Sequence, residues 1–468
     1  MFIARIPAAA VAMLLLLPHQ APAQGEPQGA SQGSSQAAPQ LASPDASLLD
    51  SIARLAIARN LAVRQSREVE QQSKLAVTQA RGLYQPTLGV EARYSEMNGV
   101  LDLGDVLNPA YAALNQLLGH ATFPTDIHQT LPYKQVTMLH SVLPLFNGAI
   151  NANLAAARAI RDLRGAERAA ATRRLDADAR MAYLNYARAA RAVDVWDSVL
   201  PVLAENTRVA ERLLNAGSIT GDAVYRARAA RADGDQQRAD AVRLRDAALG
   251  ALNLLLDRDA DAPVPMLDDA ALPEPRPLTL DEALYASRNR EERLQTAAGV
   301  EAAKAQGRAA GASFLPSVAL AADYGVQGGD YHFDMNHDMA MASVVLNWNF
   351  YNGRQDEMRR EQAASQRRAM MLHAAEADRQ IALDVRTAYD AVTVARQSLV
   401  SAAARLEASR RAFTLVDKRF GEGLASHLEW SDARAQLTAS ELNLVMTRYA
   451  SAARVVDLER AAALRALP

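Results

Sequence analysis

The chain repeats itself. Asp178-Ala-Arg-Met-Ala-Tyr183 returns as Asp384-Val-Arg-Thr-Ala-Tyr389, 206 residues later, and Leu214-Asn-Ala-Gly217 returns as Phe420-Gly-Glu-Gly423 at the same offset. Leu145-Phe-Asn-Gly148 matches Phe350-Tyr-Asn-Gly353 at 205, while Tyr84-Gln-Pro86 matches Phe314-Leu-Pro316 at 230. The offset therefore falls by 25 between Tyr94 and Phe146, so the first copy carries a 25-residue insertion there. A tandem duplication constrains the fold more than any single motif, because each copy must build the same supersecondary unit. The copies span 45–261 and 278–468, and the Pro-rich stretch 262–277 (APVPMLDDAALPEPRP) joins them.

Within each copy the order of elements is the same. A helix-period segment, Leu48 to Leu83 or Leu280 to Ser313, stops before Pro86 or Pro316, since the residue preceding proline is pushed out of the α region. Two strand-like runs around a loop follow. Next comes a very long Ala/Arg/Leu pattern, Ala149 to Leu214 or Arg354 to Phe420. At 1.5 Å per residue such a helix is on the order of 100 Å long. Pro201 should kink it. A Gly turn and a final helix close each copy. The apolar half of the composition is mostly alanine, which suits long helices in close contact.

The strands point to a membrane. In Ala340 to Phe350, residues Ala340, Ala342, Val344, Leu346, Trp348 and Phe350 share one face, and Met341, Ser343, Val345, Asn347 and Asn349 the other. An apolar face ending in aromatics fits a transmembrane β-strand, with Leu346, Trp348 and Phe350 toward lipid and Asn347 and Asn349 toward a lumen. Thr87 to Glu96, Gln135 to Phe146 and Ser317 to Val326 are weaker examples. Four strands cannot close a barrel, and open edges are not tolerated in lipid, so several copies must pool their strands.

The N-terminal segment reads as a signal peptide, residues 1–23: Arg5, the apolar run Ala8 to Leu17, and the cleavage site Ala21-Pro-Ala23. Ten apolar residues fall short of the about 20 that a spanning helix needs. Residues 24–44 form a Gln/Ser/Gly/Pro tether with little to bury. It contains Gly29-Ala-Ser31-Gln-Gly33, a match to a hydrolase elbow that lacks the flanking strand and helix. Basic and acidic residues nearly balance, 51 against 53, so no nucleic-acid partner is expected. With no cysteine there is no thiol for a disulfide, a nucleophile, a metal cluster or a lipid anchor. No Walker loop, H-E-x-x-H or plausible triad is present, so no cofactor and no catalysis are expected.

Taken together, the duplicated order resembles the TolC family of outer-membrane efflux proteins. The matching residues are Pro86 and Pro316, Phe146-Asn-Gly148 and Tyr351-Asn-Gly353, Ala182-Tyr183 and Ala388-Tyr389, and Gly217 and Gly423. The resemblance implies a mainly α fold with four strands per protomer. It further implies a homotrimer with one 12-stranded β-barrel in the outer membrane of a Gram-negative bacterium, continued by an α-helical tunnel through the periplasm. Its implied partners are a periplasmic adaptor, an inner-membrane transporter and outer-membrane lipid, in drug efflux, type I secretion or metal efflux. The turns at Leu214/Gly217 and Phe420/Gly423 then lie at the periplasmic tip. Glu429 and Asp432 fall where family members place a cation-attracting acidic ring, while the first copy has Ala223 and Arg226 there, with Asp222 one residue off. The family's gate tyrosine and arginine correspond to Phe420 and Ala425, so that latch is not kept. The first strand–strand loop, Met97 to Lys134, is expected to cap the external mouth, and His332, Asp334, His337 and Asp338 make a polar surface loop rather than a metal site. The alternative is a periplasmic coiled-coil adaptor or scaffold without its own pore, against which the duplicated strand pairs argue.

Overall fold

A computed structural model describes residues 48–96, 101–128, 130–131, 133–328 and 338–467. The expected signal peptide and tether, and His332, Asp334 and His337, lie outside the described residues. Helix α1 (Leu48–Arg59) ends at Asn60, and α2 (Leu61–Gly82) runs on toward Pro86. The single helix expected over 48–83 is thus two. Asn60 breaks it because its Oδ1 accepts from Ala62 N–H while its Nδ2 donates to the Leu255 carbonyl, a contact 195 residues away in sequence.

Strand β1 (Thr87–Tyr94) leads into the insertion, which is structured: β2 (Leu101–Asp102), α3 (Gly104–Leu118) and β3 (Thr130–Leu131). Asn108 exchanges hydrogen bonds with the Ile127 backbone, and Asn115 does so with Phe123, which clamps α3 to the returning chain. Strand β4 (Gln135–Asn147) passes directly into α4 (Gly148–Asn215), where the Asn147 side chain caps Ala149 N–H. Helix α4 continues through Pro201, and at 1.5 Å per residue it is about 100 Å long. Helix α5 (Gly221–Leu255) returns alongside it. Gly234 permits the close approach, since a Cβ there would stand 3.0 Å from Leu200 and 3.1 Å from Leu203.

In the second half, α6 (Leu280–Ala286) and α7 (Glu291–Ala312) replace the one helix expected over 280–313. Arg290 interrupts it in extended conformation, its guanidinium held by Glu292 and Asp384. Strands β5 (Ser317–Gly328) and β6 (Asp338–Asn347) follow, then α8 (Gln355–Gly421) and α9 (His427–Ala461). Strand β6 stops at Asn347, so Trp348, Asn349 and Phe350 lie past the strand in which the sequence placed them. Its last partner is Ser317, and Pro316 beyond it has no N–H with which to extend the ladder. The Trp348 indole instead donates to the Phe314 carbonyl at 3.2 Å.

The four long strands form one antiparallel sheet in the order β1-β4-β5-β6, with a bulge between Pro144 and Phe146. Helix α4 packs against α1, α2, α5, α7 and α9. The main core lies where α1, α4 and α9 meet, around Ile52, Tyr183, Leu184, Tyr449 and Val456. The Pro-rich stretch is part of it. Val264 and Leu267 are buried, and the Tyr183 hydroxyl donates to the Pro265 carbonyl and accepts from Leu267 N–H. Among the described residues no helix is long and apolar enough to cross a membrane.

Candidate functional site

The sheet has two chemically different faces. The register aligns Leu88, Val90 and Tyr94 with Leu139 and Leu143, then with Leu320, Ala322 and Tyr324, then with Ala342, Val344 and Leu346. Most of these side chains are exposed, Val344 at 68%. From Val318 to Tyr324 the apolar face rises about 20 Å, at about 3.4 Å per residue. With the aromatics Trp348 and Phe350 beside its lower end, it approaches the about 25 Å apolar band of a barrel wall. Leu346 sits on this face.

Every charged side chain in β1, β4 and β5 falls on the other face: Glu91, Arg93, His140 and Asp323. His140 and Asp323 face each other across the ladder, and His140 Nδ1 meets an Asp323 carboxylate oxygen. Asn347 shares this face, opposite Ser317. Among the described residues, the outer edges of β1 and β6 have no partner strand in the sheet.

The far ends of the long helices form the second region. Gly217 and Gly423 take φ of +70° and +74°, which glycine adopts without steric cost. Ser218 N–H reaches the Leu213 carbonyl and Leu424 N–H the Arg419 carbonyl, each spanning five residues. Both turns therefore end their helices with the same left-handed cap. Their packing differs. In the second turn Phe413, Trp430, Phe420 and His427 form an aromatic cluster with centroids 5.7 to 6.1 Å apart, and the Trp430 indole donates to Asp417 at 2.7 Å. In the first, Ala210, Val224 and Ala227 pack against Ile219, and Leu214 is exposed.

The acids at these turns are placed unequally. Glu429 belongs to the capping box of α9: its carboxylate accepts from Ser426 N–H at 2.7 Å while Ser426 Oγ accepts from Glu429 N–H. The Ser426 N–H holds the Glu429 carboxyl below its usual range. Asp222 is held down by the Thr220 hydroxyl and by Arg226, 3.4 Å away. Asp432 is exposed. His427 went unnoticed in the sequence. It is buried at the start of α9, where Arg226 and Asp222 of α5 act on it. Its seven-residue spacing from Phe420, across a Gly turn, was the available signal.

Comparison with known proteins follows the same lines. The family model described as outer membrane efflux protein matches residues 285–464. Over that stretch the chain is similar to the outer membrane efflux protein family. The fold extends the likeness beyond the matched residues. The outer membrane protein VceC of Vibrio cholerae is 19% identical with a TM-score of 0.71, over 88% of this chain and 95% of that one. The CmeC outer membrane channel of Campylobacter jejuni is 14% identical with a TM-score of 0.73, over 94% of each chain. The MtrE outer membrane channel of Neisseria gonorrhoeae, in its open state, is 19% identical with a TM-score of 0.69, over 88% of each chain. No curated protein sequence matches the chain. Members of the matched family work in tripartite efflux systems.

Proposed function

We propose that this chain is an outer membrane efflux protein, a homotrimeric exit duct that conducts cargo passively, with no catalytic step and no cofactor. Three copies pool their sheets into a 12-stranded barrel, the apolar face toward lipid and the Glu91/Arg93/His140/Asp323 face toward the lumen. The observation that carries this reading is a four-stranded sheet with an exposed apolar face and two open edges, an arrangement that persists in a bilayer only when the edges are closed by further strands. The long helices continue the duct through the periplasm. The turns at Leu214/Gly217 and Phe420/Gly423 form its entrance and meet a periplasmic adaptor, which couples it to an inner-membrane transporter.

The test is extraction and conductance. The protein is expected in the outer-membrane fraction, resistant to salt, migrating as a heat-modifiable oligomer and conducting in planar bilayers. Release by salt, or fractionation with the inner membrane and no conductance, would instead fit a scaffold or adaptor. Crosslinking from residues 215–222 and 422–429 to co-purifying protein identifies the adaptor.

A further inference from the structure

The four strands sort leucine from methionine. Leu88, Leu139, Leu143, Leu320 and Leu346 fall on the apolar face, whereas Met138, Met339 and Met341 all fall on the charged one. Valines share the charged face, at Val136, Val142 and Val345, so the face alone does not decide what the methionines do. What sets methionine apart from those valines is its soft, polarizable thioether.

The register sets these side chains around an imidazole. One row across the sheet reads His140, Asp323, Met341, and the next reads Met138, Gly325, Met339. Neighbouring strands lie about 4.8 Å apart, so the Met138 and Met339 backbones stand roughly 10 Å apart across Gly325. No side chain intervenes, and none is tolerated: a Cβ at 325 would fall 2.0 Å from the Thr137 carbonyl oxygen and 2.6 Å from Met138 Cα. Met341 is 48% exposed. His140 is positioned as a ligand. Its Nδ1 is committed to the well-buried Asp323 carboxylate, and a carboxylate on one ring nitrogen orients the other toward a metal. With Nδ1 taken, Nε2 is the nitrogen through which the ring can ligate.

We infer that Met138, His140, Met339 and Met341 form a binding site for a soft monovalent cation, copper(I), on the polar wall of the sheet. Thioethers with one imidazole suit copper(I). Calcium and magnesium require several oxygen ligands, whereas only two carboxylates border the site: Asp323, engaged with His140, and Glu91, opposite Met138 on the edge strand. The inference rests on the duct reading only for the cation's route to the site. A wall site on such a route holds its ion loosely enough to release it.

The experiment titrates the purified full-length protein in detergent with copper(I) supplied as its bicinchoninate complex. The wild type is expected to withdraw copper(I) from the chelator. M138L/M339L/M341L should weaken binding about tenfold or more, and Asp323→Asn should do so by about tenfold through the imidazole. X-ray absorption should show sulfur neighbours in the wild type. Equal withdrawal by wild type and triple variant, or a spectrum with nitrogen and oxygen neighbours alone, overturns the site. If the triple variant loses its heat-modifiable oligomer, Met341→Leu decides, and undiminished affinity in that variant overturns the site as well. Conductance of the same preparation separates the two readings: a conducting protein that ignores copper(I) sinks the site and leaves the duct.

Discussion

His427 stands edge-on to Phe420, ring centroids 6.1 Å apart and planes 69° apart, inside the tip of the second helical hairpin. Three features disfavour its charge. Burial depresses its pKa below 6.5, Arg226 of α5 adds to the depression, and Asp222 opposes it. It also opens α9, where the helix dipole repels a cation. Neither ring nitrogen has a hydrogen-bond partner among the described residues. A histidine with a lowered folded pKa contributes stability that is complete above 6.5 and is lost as pH falls through the depressed value. Acidification below pH 6.5 should therefore loosen the tip. Amide protection factors over 420–430, corrected for the intrinsic pH dependence of exchange, should fall between pH 7.5 and pH 5 in the wild type and stay level in His427→Phe. Equal acid response in both would remove His427 as the cause.

Arg173 of α4 and Glu291 of α7 tie the two copies together. Each side chain is about nine-tenths buried, the guanidinium engages both carboxylate oxygens, and its Nη1 donates to the Arg465 carbonyl at 2.9 Å. Removing one partner of such a pair strands a buried charge, a loss of about 3–5 kcal/mol. Glu291→Ala should show that loss in thermal unfolding. Arg173→Met with Glu291→Leu should recover most of it, because well-packed apolar side chains replace a buried pair at little cost. A double variant no better than the single would place the loss in packing instead.

Ser343 and Val344 are neighbours on opposite faces of β6. If the Val344 face meets lipid, Val344→Arg should destabilise the assembled protein by about 2–4 kcal/mol near the bilayer midplane, and Leu346→Arg, nearer the strand end, by about 0–1 kcal/mol. Ser343→Arg should leave heat-modifiability nearly unchanged while altering conductance. Equal damage from arginine at 343 and 344 would contradict a one-sided lipid contact.

What the sequence disclosed was local. Pro86 and Pro316 end helices through their own rings, and Gly217 and Gly423 turn the chain by a conformation that few other residues accept. What it hid depends on distant partners. Asn60 looks like one more polar residue on a helix face until its amide meets Leu255. The Pro-rich stretch reads as a linker until the Tyr183 hydroxyl, 84 residues earlier, takes the Leu267 N–H. Strand β6 ends where it does because of Pro316 on its neighbour. Glu429 is a different case, since Ser426-His-Leu-Glu429 spells a capping box that a reading centred on the acidic ring passed over.

That capping role divides the two candidate pore acids. Glu429 already serves Ser426 N–H and the α9 terminus, so its charge is partly neutralised by the helix it caps. Asp432 lies one turn further along, exposed. With three copies around an axis, a ring of Asp432 carboxylates would attract divalent cations more freely than the Glu429 ring. In single-channel recordings Asp432→Asn should therefore weaken cobalt or calcium block several-fold with conductance retained. Glu429→Gln should alter block less, yet raise amide exchange in the first turn of α9 through loss of the cap. Block that survives Asp432→Asn but fails in Glu429→Gln would reverse the assignment, and block unchanged in the double variant would take both acids out of the pore.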